Sequence, residues 1–194
     1  RPRTKTTEVS LSSEMKMFPV AGTALRSACG RITRRYTSVA VSPDGAHAYV
    51  TNLSNRTVSV IDTATNTVHA TVGVGRLPYG AVVTPDNAHV YVSNGLDNTV
   101  SVIDTATNTV ATTIAVGTGP AGITVSANGS HVYVANHLAN TVSVIDTATN
   151  TVTATIAVPG TPMGVAVTPD DSQLYVTALG ANALRVVDVA TGSV

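Results

Sequence analysis

The 194-residue chain has no tryptophan, one phenylalanine and one cysteine. With no second cysteine to pair with, Cys29 excludes any disulfide within the chain. Charged residues make up 11% of the sequence and aromatic residues 4%. No apolar run approaches the roughly 20 residues that a membrane-spanning helix needs. The stretch from Met17 to Ala21 is too short for the apolar region of a secretory signal, and Pro19 interrupts it. There is no nucleophile elbow, phosphate-binding loop, His-Glu-x-x-His or paired Cys-His motif, so no common hydrolytic or nucleotide chemistry is announced. The pairs Gly73/Gly75 and Gly117/Gly119 have no helix following them and cannot act as a dinucleotide fingerprint.

The overall charge of zero conceals an asymmetry. Residues 1–35 carry eight Lys or Arg against two Glu, a net of +6, while residues 36–194 carry three Arg against nine Asp, a net of −6. The first segment predicts a disordered tail or a fused unrelated sequence, or else a strand added to the last repeat. The chain opens on Arg1 rather than Met, which is expected of a mature form or of a piece of a longer protein.

What is present is a repeat. Ile-Asp-Thr-Ala-Thr-Asn-Thr-Val occupies 61–68, 103–110 and 145–152, with a degenerate copy at 187–194, always 42 residues apart. Tyr-Val-Thr-Asn at 49–52 returns as 91–94, 133–136 and 175–178, and Ser-Pro-Asp-Gly at 42–45 returns as 84–87, 126–129 and 168–171. In the third copy the spacing predicts strands over 122–125, 131–135, 141–145 and 151–158, rich in Val, Ile, Thr and Tyr. Turn chemistry separates them, and no stretch shows a helical apolar period. Both faces of Thr-Val-Ser-Val-Ile are small or apolar, as a sheet sandwiched between two others requires. Four short strands per repeat make an all-β array of four-stranded antiparallel blades, about 3.75 repeats of 42 residues, a β-propeller. The expected blades are 36–77, 78–119, 120–161 and 162–194.

The combination of Ser-Pro-Asp-Gly, Tyr-Val-Thr-Asn, the Val-Ser-Val-Ile-Asp-Thr-Ala-Thr-Asn-Thr-Val run and Gly-x-x-Pro-x-Gly resembles the YVTN-type β-propeller repeat of bacterial and archaeal surface and secreted proteins. The resemblance covers Ser38 to Val194. It implies a ring of seven or eight blades, an extracellular, cell-surface or periplasmic location, and a non-enzymatic role without a cofactor. A WD-type propeller does not fit, because tryptophan is absent. Three arrangements would bury the blade faces: the chain is part of a longer ring, two copies self-associate to close one, or four blades close alone with help from the N-terminal segment.

Asp62, Asp104, Asp146 and Asp188 recur in register and suggest a carboxylate ring. They are expected to cap turns rather than bind metal, because neighbouring blades lie on the order of 10 Å apart. His47, His89 and His131 are likewise expected to be strand-entry residues rather than zinc ligands, since Zn–N bonds are about 2.0–2.1 Å. Three glycosylation sequons, beginning at Asn52, Asn55 and Asn128, are no more than an Asn- and Thr-rich chain produces by chance.

One contrast between copies points to a site. The Asp-Thr-Ala-Thr-Asn-Thr turn is unchanged in three copies, whereas the loop after the second strand and the connector between blades differ each time. In an up-and-down blade these two variable segments emerge on one face. Binding residues concentrate on loops held by a rigid scaffold. That face would carry a ligand or a protein or cell-surface partner near Arg56, Arg76, Tyr79, Asp97, His137 and Met163; neutral drift between duplicated copies would produce the same divergence. A nucleic-acid-binding periplasmic propeller is an alternative that the resemblance suggests, but the repeats are net acidic with only Arg56, Arg76 and Arg185, so nucleic acid is not the expected partner and only the basic first segment could serve it. Lactonase-like or quinone- and haem-linked propeller enzymes would need ionisable groups on the innermost strands, which have almost none.

Overall fold

Residues 36–194 are described in the computed structural model. The expectations for residues 1–35 lie outside the described residues. The first blade contains β1 (Tyr36–Val41), β2 (His47–Asn52), β3 (Thr57–Asp62) and β4 (Thr67–Gly73). The second contains β5 (Pro78–Val83), β6 (His89–Asn94), β7 (Thr99–Asp104) and β8 (Thr109–Ala115). The third contains β9 (Pro120–Val125), β10 (His131–Asn136), β11 (Thr141–Asp146) and β12 (Thr151–Ala157). The fourth contains β13 (Pro162–Val167), β14 (Gln173–Ala178) and β15 (Ala183–Asp188), with a 3-10 turn at Leu179–Ala181. Each blade is an antiparallel meander whose strands pair in chain order. Strand register repeats as well: Tyr49 faces Val60, Tyr91 faces Val102 and Tyr133 faces Val144.

β1, β5, β9 and β13 lie side by side as the inner strands. Alternation along each strand gives every blade two apolar faces. Tyr49, Val58, Val60 and Val72 on the first blade pack against Val83, Val90, Val92 and Ile103 on the second. Tyr91, Val100, Val102 and Ile114 repeat this contact with Val132, Val134 and Ile145. Tyr133, Val142, Val144 and Ile156 repeat it with Leu174, Val176 and Val187. Burying one such Val, Leu or Ile side chain stabilises the fold by about 1.5–3 kcal/mol, so this stacking carries most of the fold's stability. The arrangement is a partial β-propeller, as the sequence period predicts.

Polar links cross the same boundaries close to the centre. The buried Ser93 hydroxyl donates to the Ala121 carbonyl at 2.6 Å and accepts from the Gly80 N–H at 2.9 Å. Thr51 Oγ1 donates to the Tyr79 carbonyl at 3.2 Å. Farther out, the Tyr91 hydroxyl donates to Asn150 Oδ1 at 2.7 Å, tying the second blade to a turn of the third. Burial, aided by the Asp86 and Asp146 charges, pushes the Tyr91 phenol up to about 12, so it remains a donor across the neutral range.

The two outermost faces of the stack are not covered within the described residues. Tyr175 is 38% exposed, whereas Tyr91, at the same register position, is 0% exposed. Leu184 and Val186 share that open face, and Val39 and Val41 are exposed on the first blade. Beside the fourth blade, a cleft of about 540 Å³ runs between β12 and residues 189–192. Val194 falls one period after Val152, which packs in the preceding interface.

Candidate functional site

The variable loops and the variable connectors meet on one face and are hydrogen-bonded into a rim. Gly95 N–H donates to the Leu77 carbonyl at 2.9 Å and Leu96 N–H to the Arg76 carbonyl at 3.2 Å. One blade on, His137 N–H donates to the Gly119 carbonyl at 3.0 Å, and in the fourth blade Leu179 N–H donates to the Thr161 carbonyl at 3.1 Å. Each connector is therefore held by the loop of the blade that follows it.

Two kinds of asparagine build this rim. Asn94, at the end of β6, is buried and donates through Nδ2 to Thr99 Oγ1 at 3.1 Å and Ser101 Oγ at 2.9 Å, closing the hairpin beneath the loop. Asn52 and Asn136 make the same pair of bonds in their blades. A Cβ at Gly75 would fall 2.6–2.8 Å from the Asn94 side chain, and one at Gly117 would meet Asn136 in the same way, so the connector needs glycine there. The fourth copy changes the whole set together: Ala178 replaces the asparagine, Ala183 and Arg185 its partners, and Pro159 the glycine. The second kind sits in the left-handed region, Asn98 at φ 57° and Asn140 at φ 55°. Asn98 Oδ1 accepts from the Gly119 N–H at 3.0 Å, and Asn140 Oδ1 from the Thr161 N–H at 2.8 Å. The sequence reading named the Tyr-Val-x-Asn marker without giving its asparagine this role. Thr and Ser five and seven residues later were the available signal.

The six candidate binding residues do not converge on one pocket. Arg76 and Asp97 come together: the Arg76 guanidinium Nε pairs with Asp97 Oδ1, and the Arg76 N–H donates to Oδ2 at 2.6 Å. That backbone bond, then the Arg76 side chain and more weakly the Arg56 charge, hold the Asp97 carboxyl below its ordinary value. Arg56 is exposed at φ 57°, the register position of Asn98 and Asn140, and has no amide oxygen with which to cap a connector. His137 lies one loop along, with Nδ1 2.6 Å from the Gly119 carbonyl oxygen. Tyr79 and Met163 are half-buried at matching positions of the inner strands β5 and β13. The site is thus a charged corner at the first connector, with a histidine and two inner-strand side chains spread over the neighbouring blades.

The opposite face holds the repeated turns. Asp62 Oδ1 accepts from the Thr65 N–H at 2.7 Å and the Thr65 hydroxyl at 2.9 Å. Asp104, Asp146 and Asp188 make the same two bonds with Thr107, Thr149 and Thr191. The backbone bond first, then the hydroxyl, holds the Asp62, Asp104 and Asp146 carboxyls below the ordinary 3.8; at Asp188 the hydroxyl contributes more. Asp44 and Asp86 are lowered mainly by the Ser42 and Thr84 hydroxyls. Among the described residues, no three His, Cys, Asp or Glu side chains are grouped to hold a metal ion. A cleft of about 240 Å³ on this face, between the second and third blades, is lined by Thr84, Asp86, His89, Asn128 and Thr147. Asp86 within it is already engaged, with Thr84 and with the Ala88 N–H.

These shifts set a pH dependence. A carboxyl whose folded pKa is depressed stabilises the fold above its unfolded pKa, and that contribution is lost as pH falls through the folded pKa. All of these shifts have the same sign. Thermal midpoints measured across pH are expected to be flat with respect to these groups above roughly pH 5 and to fall together below roughly pH 4. A midpoint that rises on acidification would contradict the turn assignments.

Four antiparallel meanders stacked around parallel-running inner positions, with a rim of variable loops on one face, define a β-propeller repeat protein. The chain belongs to the YNCE-like beta-propeller family, which it matches over residues 14–128 and 111–194. No curated protein matches it. Among solved structures, it is similar to Kuenenia stuttgartiensis hydrazine synthase, with 30% identity and a TM-score of 0.78, over 81% of this chain and 47% of that one. It also shares its fold with a functionally unknown protein from Desulfotomaculum acetoxidans DSM 771, with 19% identity and a TM-score of 0.69, over 82% of this chain and 53% of that one. The chain therefore spans about half the length of these two structures. In the described residues, no helix is long and apolar enough to cross a membrane.

Proposed function

We propose that this chain is a non-enzymatic scaffold of a secreted or cell-surface kind, which binds a protein or small ligand through its loop face. The supporting observation is how the polar groups are divided between the two faces. On the turn face the aspartates are engaged in the same hydrogen bonds copy after copy. On the loop face, Arg56, Arg76, Asp97 and His137 differ from their counterparts in other blades and stand at the surface or partly exposed. The reading includes self-association, since the open face of the fourth blade repeats the chemistry that packs on the next blade at each internal boundary.

Alanine at Arg76 together with Tyr79 is expected to weaken partner binding by about tenfold or more, as loss of a charged and an aromatic anchor does, while leaving the circular dichroism spectrum unchanged. Undiminished binding, read by titration calorimetry against a partner captured with the chain, would sink the reading.

The similarity to hydrazine synthase favours a second reading, in which the chain is a propeller portion associated with an enzyme. Its inner strands would then serve as framework, with the chemistry contributed from elsewhere.

A further inference from the structure

β3 and β4 do not pair residue for residue. Ile61 faces Val68 and Val60 faces Ala70, so His69 is left over as the extra residue of a β-bulge. The second and third blades keep the same bulge, at Ala111 and Thr153. A bulge bends its strand and re-aims the extra side chain. Here the His69 ring comes to 5.8 Å from the His47 ring, centroid to centroid, with the planes 57° apart. The same two positions share a groove in the third blade, where His131 and Thr153 both line the cleft beside residues 189–192. Of the first three copies, only the first carries histidine at both positions. Spacing between blades excludes His89 and His131 as partners of His47, whereas His69 comes from within the same blade.

The histidines differ in what their rings already do. His131 Nδ1 lies 2.8 Å from the Ser130 hydroxyl, and His137 Nδ1 lies 2.6 Å from the Gly119 carbonyl oxygen. Among the described residues, no hydrogen bond engages a ring nitrogen of His47 or His69. An ion bound to both rings at the Zn–N distance of about 2.0–2.1 Å would hold their centres about 4.5–6.4 Å apart, from a right angle at the metal to a straight line. The observed separation falls inside that range. The surroundings also favour a cation. Asp62 is paired with His47 in strand register. After the hydrogen bonds from Ser42 and from the Thr65 N–H, the charge of His47 bears on the Asp44 and Asp62 carboxyls. Asp86 and Asp104 of the second blade belong to the same acidic face, and such a field concentrates cations.

From this placement we propose that His47 and His69 together bind a divalent transition-metal ion, copper(II) most tightly and nickel(II) and zinc(II) less so. Imidazole suits these three ions, and copper(II) leads them in affinity for nitrogen ligands. The chain supplies two ligands and water completes the coordination, so the site is open and exchangeable rather than a closed structural one. The ion bridges β2 and β4 across β3 and pins the outer strand of the first blade to its interior. The site lies away from the loop face and does not depend on partner binding there.

The test is titration of the 194-residue chain with copper(II), nickel(II) and zinc(II) chlorides in turn, read by calorimetry and by thermal unfolding. Each ion is expected to bind and to raise Tm, copper most, because the two rings are brought together only in the folded chain. The repeat itself supplies two substitutions that keep the fold. His69→Ala puts in the bulge what the second copy has at Ala111, and His47→Gln puts at the strand entry what the fourth has at Gln173. Each is expected to weaken binding about tenfold or more, since losing even a group that only orients a ligand costs roughly 10–100-fold. Each should also remove the rise in Tm, while His131→Gln, which leaves the pair intact, should preserve both. In the electron paramagnetic resonance spectrum of the copper-loaded chain, coupling to the nitrogens of both imidazoles is expected, and reduced coupling in either variant. Binding that survives His69→Ala and His47→Gln unchanged would overturn the proposal by placing the metal elsewhere in the chain. Absence of binding to the unaltered chain would overturn it too, and leave the rings as a packing contact.

Discussion

Tyr91→Ala is expected to cost about 3–5 kcal/mol of folding stability, the range for truncating a large buried aromatic side chain. The ring is completely buried where the second blade meets the third, and its hydroxyl is bonded to Asn150 at 2.7 Å. Removal opens a cavity and leaves a polar side chain without its donor. For a chain of this size the loss corresponds to a fall of roughly 10 °C in Tm. Tyr175→Ala is the internal control. It removes the same side chain from the same register position, but from a face that is open in the described residues, and is expected to cost under about 1 kcal/mol. Urea denaturation of the two variants beside the unaltered chain reads both. A penalty at Tyr175 equal to that at Tyr91 would show that the last blade face is covered in solution, and by another copy if the penalty grows with protein concentration.

Gly122→Ala is the second large effect. The added methyl would strike the Met163 carbonyl oxygen and lie 3.0 Å from Gly164 Cα, both of them backbone atoms of the next blade's inner strand. Backbone in a packed strand cannot turn aside as a side chain can, so two inner strands must separate. Overpacking of this kind costs typically about 1–3 kcal/mol. Gly164→Ala places a methyl 3.1 Å from Thr177 Oγ1, the movable end of a side chain, and is expected to be nearly neutral because it also restricts the unfolded chain. Hydrogen exchange of the β9 amides should rise in the first variant and remain unchanged in the second. Equal stability of the two variants would mean that the inner strands approach less closely than the structure has them.

Much of this fold was legible in sequence because the repeat keeps register without a slip. Period alone placed the strands, and the small, apolar faces of Thr-Val-Ser-Val-Ile-Asp placed each blade between two others. The grouping of variable loops and connectors on one face followed from meander topology. What sequence could not give was the pairing within that face. Arg76 and Asp97 are 21 residues apart in different segments, and only the path of the connector joins them. Nor could it separate Tyr91 from Tyr175, which occupy the same position of the repeat and have different neighbours in space. The asparagine clamp was visible as spelling, but its purpose appears only when Asn94, Thr99, Ser101 and Gly75 are seen in contact.

β3, β7 and β11 are identical in sequence, Thr-Val-Ser-Val-Ile-Asp. Their partners, the second and fourth strands, differ between copies at only a few positions, so a swapped pairing would lose little side-chain complementarity. Energy therefore discriminates weakly between partners; proximity along the chain does more, because the four-residue turns bring neighbouring strands together long before distant ones can meet. Mispaired hairpins are the characteristic kinetic trap of such an array. During synthesis the first blade can complete itself before its duplicates emerge, whereas refolding from denaturant offers all copies at once. The cost of near-identical blades is thus paid in folding time rather than in native stability, and the divergent β15, Ala-Leu-Arg-Val-Val-Asp, is the one third strand that does not compete.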